Sequence, residues 1–222
     1  MVAFLGNLRL TFAISAMTIG AIAIAVLAVL AGLFVSLSGS VERDSQKALA
    51  DSTRIAAQIF QVSLPSLEVA LDESGNVEAL RARSMPRFRS HDVIDSVSGV
   101  SGAEASVYVF DAETSPDLVV GSTSFADAEG ERLMDMAIGA DSALFATLMA
   151  NAPAEADISL SGARYVVRYQ PIATADGVVI GALMVAVDRA PLEAVLGQSM
   201  IVLAGVSLVV LVAMAIAALL LS

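Results

Sequence analysis

The sequence predicts an α+β domain, a five-stranded antiparallel sheet with helices packed on it, held between two transmembrane helices. Three observations predict this. Two charge-free apolar runs, Leu10 to Leu37 and Ser199 to Ser222, flank everything else. Between them, several short stretches alternate apolar and polar residues with the two-residue period of a half-buried strand. The last three of these strands are joined by hairpin-length turns, which makes them antiparallel. The expected organisation is a cytoplasmic amino terminus (1–9), a first transmembrane helix (10–37), an extracytoplasmic domain (38–198) and a second transmembrane helix (199–221).

The apolar runs come first. The chain has 222 residues, 57% of them hydrophobic, and a mean hydropathy of +0.78. That is more apolar than an ordinary soluble domain. About 20 apolar residues in a helix cross a roughly 30 Å hydrocarbon core. A helix is the form expected, because lipid cannot satisfy open backbone groups. The first run can also be read as a cleaved signal peptide. Its apolar region is longer than a signal's, though, and "SLSGSVERDSQKALADSTRIAAQ" carries on as helix, so an uncleaved anchor fits better. The second run has no ionisable residue, hence no proton relay. Its small residues, Ala204 and Gly205 among them, suit helix packing in lipid. Arg9 is the one charge before the first run and favours a cytoplasmic amino terminus. The expected location is the cytoplasmic membrane, crossed twice, with any output region beyond Ser222.

Composition also excludes function classes. There is no cysteine and one histidine, so thiolate and histidine-rich metal sites are out. Residues 38–198 carry 11 basic and 23 acidic side chains, a net of −12, which argues against nucleic acid. No nucleophile–histidine–acid spacing and no glycine-rich phosphate loop is present. The turn "DAETSPD" is too sparse in oxygen ligands for calcium. No enzyme activity and no cofactor are expected.

The elements follow in order. Val41, Ala48, Ile55 and Val62 recur every seven residues, with Ser45, Ser52 and Ile59 in the other seam. This is a helix that packs on its own domain, pairs with a second copy, or does both on different faces. Ser84 and Pro86 predict the start of a second helix over 85–95, which "SGVSG" (98–102) ends. "ASVYVF" (105–110) and "LVVGSTS" (118–124) read as strands. "DAEGERLMDMAIGADSALFATLMA" reads as helix with a glycine interruption, and Met134 and Met136 as core filler. "ADISLSG" and "ARYVVRYQPI" form a hairpin, and the Asp176-Gly177 turn leads into a long buried strand ending at Asp188. Helix, helix, β, β, helix, β, β, β is the order of a PAS-like sensor.

Two stretches carry a resemblance. "PRFRSHDVIDSVSGVSGAEASVYVFD" resembles the start of the single-Cache domain of bacterial methyl-accepting chemotaxis receptors, with Phe88, His91, Val93, Ile94 and Asp95 in the family's positions. "GARYVVRYQPIATADGVVIGALMVAVD" resembles the closing hairpin, "GxxYxxxYxPIxxxxGxVIGxLxVG", through Tyr165, Tyr169, Pro171, Ile172, Gly177, Ile180 and Gly181. The likeness covers about 84–188. Val120 stands where the family often carries an arginine, and Asp188 where it has a glycine. The resemblance implies an extracytoplasmic sensor of a small organic molecule, often a carboxylate, that signals through the second transmembrane helix. A histidine kinase, a cyclic-dinucleotide enzyme or a partner-docking domain are the alternative outputs. The expected partners are a small organic acid, a second copy of the chain and membrane lipid.

A carboxylate pocket needs a few convergent donors in an apolar cavity, and arginine's planar fork is the best single donor. On a helix over 85–95, Arg87 and His91 share one face. On the strand 164–170, Arg164 and Arg168 share one face and Tyr165 and Tyr169 the other; either pair can line a pocket, but not both on the same side. Ser122 and Thr123 offer hydroxyls, and Tyr108 completes the candidate ligand set. Arg81 and Arg83 are expected at the solvated surface.

Overall fold

The computed structural model describes the backbone of residues 2–190 apart from Thr114, plus Gly205, Ser207, Val212 and Ile216, and side chains throughout 43–190 with the same exception. The chain divides into two compact units, Asp44–Ala190 and a second made of Met1–Arg43 with Pro191–Ser222. Helix α1 (Val2–Ser63) contains the first apolar run, so the expected unbroken helix is present. Most side chains of that run, and nearly all of 199–221, lie outside the described residues. Among the described residues no helix is long and apolar enough to cross a membrane.

The unit Asp44–Ala190 is an α+β fold on one mixed sheet. After α1 come β1 (Leu67–Leu71), β2 (Val77–Ala82), α2 (Asp92–Ser101), β3 (Glu104–Phe110) and β4 (Leu118–Thr123). Then follow β5 (Ala137–Ile138), α3 (Ala143–Met149), β6 (Ala154–Leu160), β7 (Ala163–Ala173) and β8 (Val179–Asp188). The sheet has eight strands in the order β1-β2-β7-β8-β3-β4-β5, with β6 paired to the first half of β7. The contact of β2 with β7 is parallel and the other pairings are antiparallel. The expected five-stranded antiparallel sheet is corrected accordingly. Its strands are all there, and β1, β2 and the short β5 add to them.

Two regions depart from the sequence reading. The β1–β2 hairpin turns at Asp72, whose carboxylate accepts the Ser74 and Asn76 amides at 2.8 and 2.9 Å. These bonds, those from Asn76 foremost, hold its carboxyl below the usual aspartate range. The stretch 127–150, read as one helix, opens with an Asp127 turn, adds β5 to the sheet and becomes helical only in α3. Ser142 caps α3 by accepting the Phe145 amide at 3.1 Å.

The sheet separates two cores. On one face, Ala56, Ala57 and Phe60 of α1 and Ile94 and Val97 of α2 pack on Val107, Ile172, Leu183 and Val185. On the other, Leu148 of α3, Phe125 and Ile138 cover Tyr108, Leu118, Val167, Tyr169 and Met184. Alternate residues of β3, β7 and β8 supply the two cores, as the pleat requires. The heptad seams of α1 divide in the same sense. Ser45 and Ser52 are buried and Ile59 packs into the first core, while Val62 is 85% exposed.

Candidate functional site

The second core is bordered by a recess open to solvent. A cavity of about 370 Å³ opens beneath β5 and α3, lined by Tyr108, Met136, Ile138, Gly139, Ser142, Leu144, Ile158, Leu160 and Tyr169 among others. Tyr108 projects from β3 and Tyr169 from β7, with ring centroids 6.2 Å apart and planes tilted by 54°. Their strands pair with opposite edges of β8, where Tyr108 stands beside Ala182 and Tyr169 beside Met184. The tyrosines therefore straddle the strand that leads out of the domain toward the second apolar run.

Both hydroxyls lack a strong acceptor. That of Tyr108 points to the Met184 sulfur at 3.9 Å, a weak contact. Tyr169 has no hydrogen-bond partner for its hydroxyl among the described residues. Burial pushes the Tyr169 phenol up to about 12 and the Tyr108 phenol beyond the ordinary range, Tyr169 adding to the latter effect. Both remain protonated donors at any physiological pH. The arrangement is a small, mostly apolar cavity lined by two tyrosines whose O–H groups have no strong acceptor, the design of a small-molecule site.

The other expected ligand residues are distributed elsewhere. Tyr165 is on the tyrosine face but packs edge-on against Phe125 at 5.2 Å, outside the cavity lining. Thr123 pairs with Ser106 at 2.7 Å in the sheet. Arg164 and Arg168 take the opposite face of β7, as alternation requires, and Arg168 lies 3.7 Å from Glu155. Arg87 is not on a helix face with His91: residues 85–90 are non-helical and α2 begins at Asp92. His91 Nδ1 instead meets Ser122 Oγ at 2.8 Å, tying the segment to β4. Arg87 borders a separate groove of about 520 Å³ with Arg83, Phe88 and Phe110.

The non-helical segment 85–88 docks on two glycines. A Cβ at Gly181 would stand 3.2 Å from the Met85 methyl, and one at Gly121 3.0 Å from the Phe88 ring. A side chain at either glycine would crowd these contacts, and at Gly181 it would first meet the Tyr108 carbonyl at 2.5 Å.

The family model described as the Cache 3/Cache 2 fusion domain matches residues 36–210. The chain belongs to this family. The match encloses the whole sheet and both cores, so the Cache sensor domain expected from the two sequence stretches is present. Among solved structures, the sensory domain of the Campylobacter jejuni chemoreceptor Tlp3 (CcmL) with isoleucine bound aligns at 13% identity and a TM-score of 0.41. It covers 78% of this chain and 65% of that one. The ligand-binding domain of Tlp3 with L-valine aligns at 15% identity and a TM-score of 0.42, over 78% of this chain and 66% of that one. The chain therefore spans somewhat less than two thirds of these domains. No curated protein matches the sequence.

Within this Cache domain, Tyr108 and Tyr169 are the two candidate residues that the structure brings together in one cavity. The sequence reading missed Ile138, Gly139, Ser142 and Leu144, which lie in the stretch taken for a single helix. The signal was "GADS": Gly139 followed by a serine that can cap a helix. Ile158 and Leu160 were on a predicted strand, and their alternation places them on the cavity side.

Proposed function

We propose that this Cache domain is the sensory part of a membrane receptor of the chemoreceptor kind, and that it binds a small organic molecule in the Tyr108–Tyr169 cavity. The observation that carries this reading is the cavity itself: two hydroxyls with no strong partner, set in apolar walls on strands either side of β8. Bound ligand touches β3 and β7 together, and so favours the arrangement of β8 that fits both. The runs Leu10–Leu37 and 199–221 cross the cytoplasmic membrane in contact with its lipid and leave the domain outside. A shift of an ångström or two in the strand's exit is then enough to move the second run. Exposed Val62, with Ala48 and Ile55 on its heptad seam, supports pairing of α1 with a second copy.

A thermal-shift screen of the purified chain against small organic molecules tests this. A ligand at a hundred times its Kd adds about 2.7 kcal/mol of stability, or roughly 5–10 °C for a chain of this size. The same ligand should bind less well to a chain with Tyr108→Phe and Tyr169→Phe. A screen with no stabilising compound, or a double variant that binds as well as the parent, would refute the reading.

A further inference from the structure

The charge around the cavity bears on the ligand's class, given that the cavity is the sensor's site. None of the described residues lining it is ionisable apart from the two tyrosines. The basic residues of the unit Asp44–Ala190 are absent from its lining. Lys47 and Arg54 belong to α1, whose buried residues pack on the opposite face of the sheet. Arg81, Arg83, Arg87 and Arg89 lie on β2 or in the segment before α2, where the first three border other grooves. Arg132 is engaged by Asp95 at 2.9 Å and by the Thr123 carbonyl. Arg164 and Arg168 are on the far face of β7, and Arg189 is bridged to Asp157 at 2.8 Å.

The segment bordering the cavity has neighbours of the other sign. Gly139 lines the cavity, and a Cβ built there would lie 2.9 Å from Asp141 Oδ1. The adjacent Ala140 amide donates to Asp117 at 2.8 Å. Two carboxylates thus stand beside the Gly139–Ala140 stretch that borders the cavity, and its lining holds only neutral donors. Two phenol hydroxyls supply no counterion, and a carboxylate that gives up hydration against apolar walls without one is disfavoured.

We infer that the cavity rejects carboxylates and takes an uncharged molecule, with an apolar body against Met136, Leu144, Ile158 and Leu160 and a carbonyl or ether oxygen accepting from Tyr108 and Tyr169. The anion-binding arginine expected of such a sensor is replaced here by a pair of neutral donors. The selectivity follows from what an uncharged acceptor needs, one or two hydrogen bonds and apolar contact, both of which the site supplies.

The chain reports on its own site, since it has no tryptophan and three tyrosines, all on this face of the sheet. Tyr165→Phe removes the one outside the cavity lining, so that the emission left belongs to Tyr108 and Tyr169. The full chain with this change is titrated with matched pairs: pentanamide and pentanoate, isovaleramide and isovalerate, phenylacetamide and phenylacetate. Saturable emission changes with the amides, at affinities at least about tenfold above those of their carboxylates, are expected. Carboxylates that bind as tightly as their amides, or more tightly, would overturn the inference and leave the cavity as the ligand site. No emission change with either class would remove the cavity reading and the inference with it.

Discussion

Replacing Tyr108 with phenylalanine separates what the hydroxyl does for the fold from what it does for a ligand. The side chain is 3% exposed, and its O–H has only the Met184 sulfur, 3.9 Å away. A buried donor without a partner costs about 1–3 kcal/mol, and a weak sulfur contact returns part of that. Ring packing is unchanged in the variant. Tyr108→Phe should therefore leave the unliganded chain as stable as the parent or more stable by up to about 1 kcal/mol, a melting temperature higher by roughly 0–4 °C. Ligand binding goes the other way. The loss of one hydrogen bond to a neutral acceptor, about 0.5–1.5 kcal/mol, weakens affinity about two- to twelvefold. Thermal melts read the first quantity and titrations of the same samples the second. A fall in melting temperature of more than about 4 °C would mean that the hydroxyl is well satisfied in the empty protein. Unchanged affinity would mean that the ligand does not use it. Either result refutes the reasoning.

Three further outcomes are expected. Gly181→Ala places a Cβ 2.5 Å from the Tyr108 carbonyl oxygen, so β8 and β3 must part; a loss of about 1–3 kcal/mol or more in urea unfolding is expected, with impaired ligand binding. Stability should fall as pH rises from about 10 to about 12, because the unfolded chain ionises its tyrosines there while buried Tyr169, pushed up to about 12, keeps its proton; absorbance titration beside denaturant melts checks this. Arg87→Ala and Arg164→Ala should leave ligand affinity within about twofold of the parent, since neither side chain lines the cavity; a tenfold loss in isothermal titration would return the site to the arginines.

The strands from β3 onward were legible because alternation and turn chemistry are local. "ASVYVF" sets Tyr108 opposite Val107 and Val109, and "ARYVVRYQPI" sets Tyr165 and Tyr169 together on one face, before any contact is known. The region 127–150 was not legible. Its alanines, leucines and methionines favour helix, but an open sheet edge and an uncovered core face override that preference, drawing 137–138 into β5 and Met136 to the cavity. The cavity's outer wall was therefore invisible in the sequence. Residues 85–91 failed for a related reason. Ser84 and Pro86 are sound helix-start signals, yet Met85 and Phe88 sit against Gly181 and Gly121 in a non-helical segment. The β1–β2 hairpin escaped because it is short and carries a bulge at Ala70/Leu71, which breaks the alternation.

Hydrogen–deuterium exchange on the full chain, with and without a compound that raises its melting temperature, tests the central claim most directly, because it reads where the ligand sits. The account predicts slower exchange in 136–149 and 154–160, the cavity's cover, and in β3 and β7 beneath it. Protection confined to 81–91, with the cavity's cover unchanged, would contradict it.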